Sequence, residues 1–147
     1  AFVRQSVLRG LYTGGTMIRL LVGIAVFAMC NVALAQGTYT VEAVAQVRDN
    51  ETAKFSKGSV REFRGKLYFD VVIRHTNPDD IPPGGVASRT VSYTARCDSK
   101  EMSIAVIELR DKTGRVGKII TVPPGAEEYY KPASGSREDD WLYRACG

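Results

Sequence analysis

Between residues 38 and 122 the apolar side chains recur at every second position in short runs, and over the closing residues Ser136 to Gly147 they recur at helical spacing. The first period belongs to strands with one buried face, the second to an amphipathic helix. Thr38 to Val47 sets Tyr39, Val41, Ala43, Ala45 and Val47 against Thr40, Glu42, Val44 and Gln46, which predicts a half-buried strand. Asp49-Asn50-Glu51 follows as a turn and Ala53 to Ser56 as a short strand. Val60 to Arg64, then Gly65, then Lys66 to Arg74 predict a hairpin with glycine where a tight connection needs it. The second arm, Leu67 to Ile73, is apolar on both faces and predicts a central strand.

Thr76 to Ala87 is too rich in proline, glycine and aspartate for a regular element and predicts a long exposed loop. Ser88 to Cys97 alternates again, with Val91, Tyr93, Ala95 and Cys97 on one face and Thr90, Ser92, Thr94 and Arg96 on the other. Met102 to Leu109 is a further strand, joined by the turn Asp111 to Gly114 to a last one, Val116 to Val122, after which Pro123-Pro-Gly125 ends the sheet. Ala126 to Gly135 is irregular. Ser136 with Asp139 three residues on approximates a capping box, and Glu138, Asp139 and Asp140 stand where the helix dipole favours acids. Trp141 with Ala145, and Leu142 with Cys146, are spaced to share one face. The fold class that follows is α+β: a single antiparallel meander of five to seven strands with a C-terminal α-helix packed on one face.

Upstream of the alternating part, Met17-Ile-Arg19 leads into the apolar run Leu20 to Leu34, which closes on Ala33-Leu34-Ala35 before Gln36. A short apolar run ending in small residues is the build of a secretory signal peptide, and it falls short of the roughly 18 residues of a spanning helix. Cleavage is expected after Ala35, with Ala33 and Ala35 as the small residues the peptidase needs and Gln36 as the new first residue. Ala1 to Thr16 is treated as an extension outside the fold, residues 17–35 as the signal peptide and residues 36–147 as one domain. Export places that domain in the periplasm or outside the cell, without a stable membrane anchor after cleavage.

Removing the leader changes two quantities. The chain carries 20 Lys and Arg against 16 Asp and Glu, but Arg4, Arg9 and Arg19 precede the cleavage site, so about 17 cations face 16 carboxylates in the mature domain. Near-neutrality removes the argument for a nucleic-acid partner. Of the three cysteines Cys30 also leaves, and an even pair in an exported chain is most simply one disulfide, Cys97 to Cys146. Neither lies in a C-x-x-C motif, so the bond is expected to fix the helix rather than to serve redox chemistry.

The inventory for catalysis is thin. His75 is the only histidine, no nucleophile elbow, phosphate loop or metal-ligand spacing occurs, and no cofactor or metal is implied. Asp79-Asp80 is a solvated acidic turn. Lys57, Arg61, Arg64 and Lys66 cluster around the first hairpin; they form either a solvated outer face or a patch for an anionic partner, such as a polysaccharide or an acidic protein. Tyr129, Tyr130 and Trp141 are expected in the core, with an exposed aromatic pair beside a groove as the alternative.

Phe55-Ser56, then Ser59-Val-Arg-Glu-Phe-Arg-Gly-Lys-Leu67, then Arg96-Cys97-Asp98, the turn Asp111 to Gly114, Tyr130-Lys-Pro132, Gly135-Ser136 and the near-terminal Cys146 follow one another in an order and spacing that resembles the surface-adhesin protein E-like domain of exported Gram-negative proteins. The resemblance spans nearly all of the mature chain. It implies a single antiparallel sheet with a C-terminal helix held by one disulfide, and a non-enzymatic binding module that meets extracellular matrix or serum proteins at the cell surface. Tyr130 stands where the family has tryptophan, and the leader lacks the lipobox of a surface-anchored adhesin. The alternative is a soluble periplasmic domain that binds a small apolar ligand or an envelope protein in the groove between sheet and helix.

Overall fold

The computed structural model describes residues 40–147. A short helix α1 (Val41–Ala45) precedes five strands, β1 (Glu51–Phe63), β2 (Lys66–His75), β3 (Ser88–Arg96), β4 (Glu101–Arg110) and β5 (Val116–Thr121), and helix α2 (Arg137–Cys146) closes the chain. The strands form one antiparallel sheet in the order β1-β2-β3-β4-β5. Helix α2 lies on one face of this meander, across β1, β2 and β3, as the alternating pattern and the terminal helical spacing require.

Four local expectations need correction. The strand predicted over Thr38 to Val47 is helical at Val41–Ala45, and its first residues lie outside the described ones. Thr40 caps this helix, its hydroxyl accepting from the Ala43 N–H at 3.3 Å, and Val41, Val44 and Ala45 turn toward the core at helical spacing. Because Val44 was the apolar member of the supposed polar side, the sequence satisfied both periods, and the cap decides between them.

The short strand at Ala53 to Ser56 and the arm at Val60 to Arg64 are parts of one strand, β1. Between Ser56 and Arg61 its register with β2 shifts. There the Ser59 hydroxyl donates to the Ser56 carbonyl at 2.6 Å and accepts from the Asp70 N–H at 2.7 Å, so a side chain fills the gap in the ladder. The loop Thr76 to Ala87 contains a 3₁₀ turn, Pro78–Asp80, and is tethered by Ile81, which is 4% exposed. Cys97 lies just past the end of β3 and is exposed, not on the buried face with Tyr93.

Where the hairpin was expected, Arg64 and Gly65 both have positive φ, 51° and 72°. That is the backbone a two-residue turn needs to match strand twist, and Gly65 supplies half of it without steric cost. Strand β4 owes its apolar look on both sides to a shift in its register with β3 between Ser92 and Tyr93. Ile104 faces the core opposite Tyr93, and Ile107 faces it opposite Val91, although the two are an odd number of residues apart.

Phe69, Val71 and Ile73 of β2, Val91 of β3 and Met102 and Ile107 of β4 are wholly buried under the helices. Aromatic rings cross this core in a file: Phe55 to Phe69 at 5.7 Å, Phe69 to Tyr93 at 5.4 Å, and Tyr93 to Trp141 of α2 at 6.1 Å. Each such pair adds about 0.5–1.5 kcal/mol beyond the area it buries, so the file couples the helix to three strands.

Candidate functional site

Helix α2 is positioned first by its cap. The Ser136 hydroxyl accepts from the Asp139 N–H at 3.2 Å, and the Asp139 carboxylate reaches back to accept from the Gly135 N–H at 2.9 Å, one residue before the cap. Trp141, Leu142 and Ala145 are buried against the sheet. Cys97 and Cys146 are bonded, with their Cα atoms 5.6 Å apart, and both residues are exposed. The bond is a staple at the rim, outside the packed face that holds the helix.

At the opposite end of the core face, Arg89 and Glu51 form a buried pair that the sequence reading missed. Arg89 Nη1 donates to Glu51 Oε1 at 2.6 Å and Nη2 to Oε2 at 2.7 Å, while Nη2 also donates to the Gln46 carbonyl at 2.6 Å. The Arg48 N–H adds a bond to Glu51 Oε2 at 2.9 Å. These bonds, that from Arg89 foremost, outweigh burial and hold the Glu51 carboxyl down to about 2. The network joins the segment after α1 to β1 and β3, so it fixes the start of the described chain onto the sheet. His75 Nε2 lies 3.8 Å from Glu51 Oε1, at the margin of this cluster. The bare signal for the network was the position of Arg89, two residues before Val91 and therefore on the core side of an alternating strand.

Among the described residues the outer face of the sheet carries no helix. Its cross-strand rows include Lys54, Val72, Thr90, Glu108 and Ile119, and next to it Ser56, Asp70, Ser92, Val106 and Thr121. Tyr68, Val72 and Val106 are half-buried on this face, and Ile119 and Phe63 are each 57% exposed. At one end the segment after β5 folds over it. Tyr130 pairs with Met102 at the edge of β4, the Thr94 hydroxyl donates to the Tyr129 hydroxyl at 2.9 Å, and the Arg96 guanidinium lies 3.6 Å from the centre of the Tyr129 ring. Tyr129 therefore covers the outer face, and of the three aromatics expected in the core only Trp141 is there.

Two of the four cations proposed as an anionic-partner patch are already engaged. Arg61 pairs with Asp70 at 3.4 Å. Lys66 pairs with Glu127 at 2.6 Å, a bond that raises the lysine above its ordinary range and holds the Glu127 carboxyl down to about 2. Arg64 stacks over Phe63 at 5.1 Å in the turn, and Lys57 lies in the irregular stretch of β1. Lys57 and Arg64 are left to meet a partner. The cleavage residues Ala33, Ala35 and Gln36 lie outside the described residues.

On the core face, between α1, the start of α2 and β4, a groove of about 520 Å³ is lined by Ala45, Gln46, Tyr93, Ile104, Tyr130 and Glu138. Burial, with the Glu138 charge beside it, pushes the Tyr130 phenol up to about 12, and burial raises that of Tyr93 further, so both hydroxyls stay protonated donors. Among the described residues no group of three His, Cys, Asp or Glu is placed to hold a metal ion, and no helix is long and apolar enough to cross a membrane. No family model, no curated protein and no solved structure matches the chain.

Proposed function

We propose that the chain is an exported, non-enzymatic binding domain that meets a protein partner at the cell surface through the outer face of its sheet. The observation that carries this reading is the asymmetry of the sheet. One face is covered by helices and stapled; among the described residues the other carries no helix and is covered only at one end, by the segment around Tyr129, and half-buried Tyr68, Val72 and Val106 lie on it among charged and hydroxyl side chains. An apolar centre inside a polar rim is the anatomy of a non-obligate interface. The disulfide fits an oxidising compartment, and the leader pattern and the adhesin-like order of motifs support the same reading. Protease added to intact producing cells should degrade the domain, and Val72→Glu should abolish capture on an immobilised panel of matrix and serum proteins while the melting midpoint stays near the parent's. A domain untouched by protease until the envelope is opened would refute the surface reading.

The groove favours a second reading, a periplasmic carrier of a small apolar ligand. Its volume lies within the range of small-molecule sites, and its walls combine apolar Ala45 and Ile104 with two phenols. Trp141, the only tryptophan, packs 6.1 Å from Tyr93 and reports on the groove. Saturable change of its fluorescence on titration with fatty acids, lost in Ile104→Glu, would support this reading; an unchanged spectrum would remove it.

A further inference from the structure

At the end of the sheet farthest from the Lys66 hairpin, the register places Arg74, Ser88 and Arg110 directly beside one another on β2, β3 and β4, all on the outer face. Neighbouring strands are about 4.8 Å apart, so two guanidinium-bearing side chains flank one hydroxyl across a span of roughly 10 Å. Lys112, in the turn that follows β4, stands on the same side, and together they line a cleft of about 550 Å³ closed by the loop after β2, with Ile81 and Ala87 as its apolar wall. None of the four polar residues belongs to the patch expected from the sequence.

The charges in this cleft are unevenly spent. Arg110 is fixed: it pairs with Glu108, and its Nη1 donates to the Gly114 carbonyl at 2.7 Å. Asp111, the carboxylate in the lining, is turned into its own loop. Its Oδ1 accepts from the Thr113 hydroxyl at 2.6 Å and from the Thr113 and Arg115 N–H groups at 2.9 and 3.0 Å, and its Oδ2 meets Arg115 at 3.3 Å. Those bonds, led by that from Thr113, hold its carboxyl below the ordinary range. Arg74 and Lys112 have no carboxylate within 4.0 Å among the described residues. Two cations and a hydroxyl without a partner among the described residues, and one held guanidinium, thus line a concave site with one apolar side.

We infer that this cleft binds a sulfate or phosphate monoester carried on a small sugar-like ring. Arg74, Ser88 and Arg110 stand side by side on one face and Lys112 adds a donor from the turn, so several N–H and O–H groups are available to the three terminal oxygens of one tetrahedral ester. Guanidinium groups bond such oxygens through paired N–H donors. The cleft is far larger than the anion alone and within the range of small-ligand sites, and the ring is placed against Ile81 and Ala87. This site adjoins the protein-binding centre proposed around Val72, two residues away on the same face of β2, but the inference does not rest on that reading.

Titration of the ¹⁵N-labelled protein with glucosamine 6-sulfate, with glucose 6-phosphate and with neutral glucose tests the inference. Both esters, or one, should shift the amides of Ala87, Ser88 and Lys112 saturably, glucose should not, and the tighter ester identifies the source of the anion. The double variant Arg74→Gln, Lys112→Gln removes only exposed side chains, so its melting midpoint should match the parent's while its affinity falls about tenfold or more, the loss of charge-assisted bonds. Saturation of these amides by neither ester, an equal response to glucose, shifts centred instead on Lys57 to Lys66, or parental affinity in the double variant would each overturn it.

Discussion

Glu51 and Arg89 show how far one residue can be from its usual place when its partners are supplied. A carboxylate and a guanidinium, both buried at one end of the core face, are held by two direct bonds, and the Gln46 carbonyl and the Arg48 N–H add one each, while Arg89 Nε has no partner among the described residues. Breaking such a pair strands the other charge, so Glu51→Gln should cost about 3–5 kcal/mol in urea unfolding, whereas replacing both with apolar residues of similar volume should cost little. The pH dependence has a definite sign. Glu51 titrates near 2 in the fold against about 4.5 ordinarily, so the unfolded chain binds its proton first. Its contribution is complete above the ordinary carboxylate range and is lost as pH falls toward 2. Glu127, held to about 2 mainly by Lys66, acts in the same direction. Glu51→Gln should therefore flatten the acid limb of the stability curve without removing all of it; an unaltered limb would show that the pair adds no pH dependence. Arg89 was legible to the extent that its parity put it on the core side of its strand. Its partner was not, because nothing in the local sequence pairs residues 38 positions apart.

Among elements, those with one dominant signal were legible and those with two were not. Helix α2 combined a cap, first-turn acids and a single apolar face, and β3 alternated cleanly from Val91 on. The segment before β1 fitted both periods and became α1, while the irregularities in β1 and β4 broke an alternation whose count assumes a regular ladder. The open cleft shows the same limit from another side, since Arg74, Ser88 and Arg110 become neighbours only through register. For α2 the disulfide sits at the rim and the buried Trp141, Leu142 and Ala145 remain without it. The double variant Cys97→Ala, Cys146→Ala should thus fold but lose about 2–5 kcal/mol, with amide exchange accelerated first at Tyr143 to Cys146. A melting midpoint within a degree or so of the parent would show that packing alone holds the helix.

At the scale of the molecule, the proposal of an exported binding domain rests on the leader pattern, on the helix stapled to one sheet face and on an opposite face that carries no helix among the described residues. The staple and the leader bear on the same compartment. A disulfide at an exposed rim persists where the surroundings are oxidising, and cleavage after Ala35 would remove the remaining cysteine, Cys30. The most direct test is the intact mass of the protein recovered from the envelope or medium of the producing cell without reductant, followed by a non-reducing digest. The predicted result is a chain that begins at Gln36 or its cyclised form, lighter by two hydrogens than its reduced form, with one peptide pair joined through Cys97 and Cys146. A chain that keeps Met17 to Ala35, or one with free thiols at both positions, would contradict it.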